Sequence, residues 1–116
     1  MTARRLVIVD DHAVFRARAR ELVQAAGWEV VGEAADAAAA LAVVARLRPD
    51  AVLLDIQLPG PDGLSVCAQL HALGAAVVLI SSRTAAEYGQ RLPAASARGF
   101  IHKPDLSRAR LAELLG

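Results

Sequence analysis

"LVIVDDH", Leu6 to His12, sets four consecutive apolar residues directly ahead of two adjacent carboxylates. Three of the four, Val7, Ile8 and Val9, are β-branched. An unbroken apolar run of this kind is the pattern of a strand buried on both faces, which in turn implies a parallel sheet covered by helices. The residues around it agree. His12 to Ala26 reads as a helix with Phe15, Ala19, Leu22, Val23 and Ala26 on one stripe, and Gly27 stops it. Glu29 to Glu33 is a short strand, and Asp36 caps an alanine-rich helix that runs to Arg48 before Pro49. Ala51 to Leu54 is the next strand and ends at Asp55; Asp62 caps a helix from Gly63 to Leu73, ended by Gly74. Ala76 to Ile80 and Gly99 to His102 complete five strands, and Asp105 is placed as the cap of a last helix through Leu115. Strand and helix alternate throughout, so the fold class is α/β, a doubly wound parallel sheet. Right-handed crossovers restrict the strand order without fixing it.

In such sheets ligands bind beyond the carboxyl ends of the strands. Asp10 and Asp11 follow the first strand, Asp55 the third, Ser81 and Ser82 the fourth, and Lys103 the fifth. Like charges a few ångströms apart cost on the order of 1 kcal/mol in water and about 4 at an effective dielectric near 20. A fold that gathers three carboxylates therefore calls for a cation, and an all-oxygen ligand set points to Mg²⁺. A carboxylate in that setting is also a nucleophile towards phosphorus, and Asp55, at the end of the central strand, is the candidate. Ser81 and Lys103 supply a hydroxyl and an ammonium for phosphoryl oxygens. Lys103 is the only lysine beside twelve arginines. A compact ammonium fits a point contact where a guanidinium fork lacks room. The following proline suggests an extended or cis arrangement at Lys103.

Composition narrows the alternatives. The chain has 116 residues, 55% hydrophobic and rich in alanine, enough for one domain over residues 1–116 with a core of small side chains. No apolar run approaches the roughly 20 residues of a membrane span, and Met1 to Arg5 leads straight into the first strand with no cleavable signal. One cysteine, Cys67, fits a reducing cytoplasm. A net charge of +1 and 3% aromatics give no basis for nucleic-acid binding by this chain alone.

Together "LVIVDDH", "AVLLDIQLPGPDG", "LISS" and "GFIHKP" resemble the receiver domain of bacterial two-component response regulators, in order and across nearly the whole chain. "VDDH" and "SSR" look most like the regulators that end in a LuxR-type helix-turn-helix. The resemblance implies a flavodoxin-like five-stranded sheet in the order 2-1-3-4-5 and phosphorylation of Asp55 by a sensor histidine kinase. It also implies Mg²⁺ held by Asp11, Asp55 and the Gln57 carbonyl, with Asp10 acting largely through water. Ser81 and Lys103 fall on the family's hydroxyl and lysine positions, and Ser81 with Phe100 on its switch positions. Gln57 and Arg83 would flank the phosphoryl group. The partner or output domain so controlled is unspecified, and the chain reads alternatively as the N-terminal part of a DNA-binding transcriptional regulator.

The remaining residues read more plainly. His12 adjoins the acids, but imidazole is a poor Mg²⁺ ligand, so it reads as a helix-start residue. His71, His102 and Cys67 read as structural, and Arg16, Arg18 and Arg20 as a solvated surface. Gly89 and Pro93 should leave the helix between the fourth and fifth strands short or frayed, since they cost about 1 and 3 kcal/mol in a helix interior. The last helix carries Leu106, Ala109, Leu111, Leu114 and Leu115, more apolar residues than one stripe needs, which suggests weak self-association that shifts on phosphorylation. The rival enzyme class, a phosphohydrolase with an Asp nucleophile, would carry a second Asp two residues after Asp55, where Gln57 stands.

Overall fold

The computed structural model describes residues 4–58, 63–89 and 96–116. Its elements are β1 (Arg5–Val9), α1 (Ala13–Ala25), β2 (Glu29–Ala34), α2 (Ala37–Leu47), β3 (Ala51–Asp55), α3 (Gly63–Ala72), β4 (Ala76–Ser81), α4 (Ala85–Tyr88), β5 (Gly99–His102) and α5 (Arg108–Leu115). A 3₁₀ turn, Lys103–Asp105, follows β5 directly. All strand pairs are parallel, in the order β2-β1-β3-β4-β5.

The period-2 alternation of the central strands divides the core in two. Val7, Val9, Val52, Leu54, Val77 and Leu79 face α2 and α3, meeting Ala40, Val44, Val66 and Leu70. Leu6, Ile8, Leu53, Val78 and Ile80 face α1 and α5, meeting Ala19, Val23, Leu111 and Leu115. Both faces of β1, β3 and β4 are thus covered, which is why these strands read as continuous apolar runs. Among the described residues, the only polar or charged side chains classed as buried are Asp10, Asp55 and Ser81, all at the carboxyl edge of the sheet.

The helix ends show where local chemistry decided and where it was overridden. Asp36 caps α2 as expected, its carboxylate accepting from the Ala39 N–H at 2.8 Å. Asp105 does not cap α5. The 3₁₀ turn after β5 takes up Lys103 to Asp105, and Ser107 is the cap instead, accepting from the Arg110 N–H at 3.1 Å. Lys103 opens that turn and its bond to Pro104 is trans, so neither an extended nor a cis arrangement holds it. The expected cap Asp62 and the breaker Pro93 lie outside the described residues.

Helix α4 is a single turn of four residues with Gly89 as its C-cap at φ +57°, in keeping with the short helix expected there. The leucines of α5, and Leu106 just ahead of it, pack into the core on the α1 side of the sheet. Leu111 and Leu115 are buried, and Leu106 and Leu114 are half-buried against the same cluster. That packing removes the apolar surplus as an argument for self-association.

Leu114 reaches so close to β5 that a Cβ on Gly99 would lie 2.5 Å from its Cδ2. A Gly99→Val substitution should therefore push α5 off the strand and lower stability by about 1–3 kcal/mol, read from a urea unfolding midpoint.

Candidate functional site

Three strands deliver the acidic residues to one point. Asp10 follows β1 and its backbone N–H bonds the Ala34 carbonyl at 3.0 Å, which extends the ladder past the strand. Its Oδ1 accepts from the His12 N–H at 2.8 Å. Asp55 is the last residue of β3, and its Oδ1 accepts from the Gln57 N–H at 2.9 Å. Carboxylate oxygens of Asp10, Asp11 and Asp55, with a ring nitrogen of His12, all lie within 4.8 Å of one another.

Lys103 enters this cluster from the end of β5. Its Nζ is 2.6 Å from Asp10 Oδ2 and 3.4 Å from Asp55 Oδ2. The second contact is a hydrogen bond. The first is a close ion pair, and it gives the buried Asp10 Oδ2 its charge partner. The ammonium also lies 4.4 Å from the centroid of the Phe15 ring, a cation–π distance. Two carboxylates and a ring face leave space for a point charge and not for a planar fork, which accounts for a lone lysine in an arginine-rich chain.

The donor set fits a hard divalent cation. Carboxylate oxygens from three acids lie within 4.8 Å of one another, with a single ammonium set among them. Electrostatics at Asp55 agree with a demand for positive charge. Burial raises its pKa above the ordinary carboxylate value; Asp10 raises it further, while the Gln57 N–H and Lys103 hold it down. His12 stands at the N-cap position of α1, with its ring mostly exposed, 3.0 Å from Asp11 and 3.3 Å from Asp10.

Ser81, the last residue of β4, is fully buried and densely bonded. Its Oγ lies 2.9 Å from Gln57 Oε1 and 2.7 Å from the Tyr88 hydroxyl, and it accepts the Arg83 N–H at 3.0 Å. Ser82 Oγ donates to the same Gln57 Oε1 at 2.8 Å. The Tyr88 ring is buried and its centroid stands 6.0 Å from that of Phe100 on β5. The His102 Nε2 lies 2.8 Å from the Ser82 carbonyl, so that nitrogen carries the proton and ties β5 to the loop after β4.

The structure thus gathers Asp10, Asp11, Asp55 and Lys103 into one cluster, with Ser81 on the adjoining strand beside the Gln57 side chain. Phe100 lies one step away, against Tyr88. Two features escaped the sequence reading. Tyr88 is the chain's sole tyrosine, set in a segment with no apolar periodicity to mark it as buried. Arg16 and Arg20, one helical turn apart, are not a solvated face: both pair with Glu33, at 3.1 and 2.6 Å, and Arg16 also donates to the Asp10 carbonyl at 2.6 Å. Their spacing of four residues was the available signal. Arg18 is exposed as expected. Cys67 is buried, and burial pushes its thiol up to about 11, the mark of a packing residue.

A parallel doubly wound sheet thus carries three carboxylates, a hydroxyl and an ammonium at its carboxyl edge, the architecture of a flavodoxin-like receiver fold. The profile of the response regulator receiver domain matches residues 6–115, and this chain belongs to that family. A Pseudomonas aeruginosa protein named as a transcriptional regulator is 38% identical over 113 residues, 96% of this chain and 53% of that protein. A protein-glutamate methylesterase/protein-glutamine glutaminase from Xanthomonas oryzae is 42% identical over 91% of this chain but only 31% of its own length. Among solved structures, a LuxR-family response regulator from Aurantimonas superposes with a TM-score of 0.83 at 29% identity, covering 97% of this chain and 81% of that one. The receiver domain of Mycobacterium tuberculosis NarL gives 0.83 at 35% identity, covering 97% and 93%. The chain spans about half the length of the transcriptional regulators it matches. It is a receiver module of two-component signalling. No described helix is long and apolar enough to cross a membrane.

A raised folded-state pKa means that ionising Asp55 costs stability, and the cost develops as pH rises from the ordinary carboxylate value through the folded one. Asp55→Asn should therefore melt a few degrees higher than the wild type at neutral pH in the presence of a chelator. The advantage should shrink as pH falls and the wild-type carboxyl becomes protonated. Thermal melts across pH check this.

Proposed function

We propose that residues 1–116 form one receiver domain that works in the cytoplasm as a Mg²⁺-dependent phosphoacceptor switch, with Asp55 as the residue modified. The observation that carries this reading is Asp55 itself. It is a buried carboxylate at the end of the central strand, with one oxygen tied to the Gln57 N–H and the other facing the only lysine. In the transfer, an Asp55 carboxylate oxygen attacks the phosphorus of a phosphohistidine on a sensor kinase. The P–N bond breaks with its electron pair left on the imidazole, which takes up a proton, and an acyl phosphate forms on Asp55.

Asp10, Asp11 and Asp55 would hold the metal, with the Gln57 carbonyl completing the set by family resemblance. Bound Mg²⁺ supplies positive charge against the carboxylates and the phosphoryl oxygens. Lys103 lies within reach of the same space and turns its ammonium from Asp55 to a phosphoryl oxygen. Ser81 donates its one proton to another, and that movement, with Phe100 beside Tyr88, changes the face formed by α4 and β5. The module catalyses only its own phosphorylation and dephosphorylation. The phosphohydrolase alternative is disfavoured by Gln57 standing where such enzymes place a general acid.

The kinase is the proposed partner, and a groove between α1 and the end of β5, lined by Phe15, Arg18, Leu22 and Leu106 beside Lys103, supports docking there. The named transcriptional regulators among its relatives support a DNA-binding output attached to this receiver, with no DNA binding by these 116 residues alone. Weak phosphorylation-dependent self-association, with the first or last helix contributing, is kept as a further reading for the test below.

Incubation with acetyl phosphate and Mg²⁺ should add one phosphoryl group, labile to base, seen by intact mass. Chelation or Asp55→Asn should abolish it, and label that survives Asp55→Asn overturns the assignment. Sedimentation of the same samples reads the self-association, and an unchanged monomer defeats that part.

A further inference from the structure

The Ser81 hydroxyl has one proton and two lone pairs, and the structure accounts for all three. Gln57 Oε1 can only accept, so the 2.9 Å contact takes the Ser81 proton. The Arg83 N–H fills one lone pair at 3.0 Å. Tyr88, 2.7 Å away and deprived of the Ser81 proton, must therefore be the donor to the second. Ser82 holds the same Gln57 oxygen at 2.8 Å and keeps the carboxamide in place. The proton that Ser81 would offer to a phosphoryl oxygen is already engaged.

We infer that the Gln57 carboxamide is an internal stand-in for a phosphoryl oxygen, clasping the Ser81 proton in the resting state and yielding it only when Asp55 is phosphorylated. Gln57 is thereby a positioning residue, acting through Ser81 and distinct from its backbone role beside the metal. The exchange runs downhill because an anionic oxygen is a stronger acceptor than an amide carbonyl. Yet it starts from an occupied bond, so the clasp holds the unphosphorylated state. With Gln57 Oε1 taking the Ser81 proton, the Arg83 N–H and the Tyr88 hydroxyl donate to the two lone pairs of the Ser81 oxygen. Tyr88 also connects the clasp to α4, whose single turn carries no other buried side chain among the described residues. When Ser81 swings to the phosphoryl group, Tyr88 loses or moves its acceptor, and α4 with it.

This inference rests on Asp55 as phosphoacceptor, and the test separates the two. The probe is beryllofluoride with Mg²⁺, a phosphoryl mimic that forms on a carboxylate, titrated calorimetrically. Gln57→Met removes the acceptor at similar length on an exposed side chain. It should tighten binding by about threefold to tenfold, the worth of one hydrogen bond no longer broken. In a Ser81→Ala background the same substitution should change affinity less than twofold. Equal tightening with and without Ser81, or no tightening at all, overturns the clasp while leaving Asp55 as the site. A wild type that does not bind the probe, or binds it equally after Asp55→Asn, overturns the phosphoacceptor reading and the clasp together.

Discussion

The Lys103 ammonium stands 2.6 Å from Asp10 and 3.4 Å from Asp55, and the carboxyl edge of the sheet is organised around that contact. Two buried carboxylates side by side are tenable in a folded chain only if positive charge reaches them. The sheet supplies it from β5, the last strand in sequence and an outer one in space, so the pairing also joins the end of the chain to its beginning. Gly99 lets α5 lie close on β5, the 3₁₀ turn carries the chain from Lys103 to that helix, and Phe15 of α1 covers the ammonium. Each of these features sets where one positive charge falls.

That arrangement pairs Lys103 with Asp10 and Asp55, while Asp11 lies against the His12 ring at 3.0 Å. One lysine against three acids is an incomplete balance, and the remainder is a demand for a further cation. Beside the acids, Ser81, Gln57 and Tyr88 form a neutral network in which the Gln57 carboxamide oxygen accepts from Ser81 and Ser82 and the Ser81 oxygen accepts in turn. On the proposed reading, this charged cluster and the polar network beside it are the two parts of the switch.

Most of the fold was legible because the strands are long apolar runs and the helices have clear stops at Gly27 and Gly74. Asp10, Asp11, Asp55, Ser81 and Lys103 were legible as site candidates because each stands at a strand end, where topology alone brings residues together. Side-chain choices among equal options were not. Asp105 and Ser107 are both good caps, and only the 3₁₀ turn decides between them. The leucines of α5 could face a partner or the sheet, and it is packing on β4 and β5 that takes them. Tyr88 was invisible because a one-turn helix has no period to read, and its role comes from a hydroxyl aimed at a residue seven positions away. The Arg16 and Arg20 pair required knowing that β2 lies beside β1 and presents Glu33 to that face.

If Mg²⁺ binds as proposed, Lys103 and the ion balance the same carboxylates, and each supplies part of the positive charge they need. The most direct test compares the rise in melting temperature on adding Mg²⁺ in the wild type and in Lys103→Met, which keeps the stem and removes the charge. Without Mg²⁺ the variant should melt well below the wild type, since unpairing a buried charge is costly. Its Mg²⁺-induced rise should be clearly larger than that of the wild type. A variant as stable as the wild type in chelator, or an equal Mg²⁺ response in both proteins, would contradict the account.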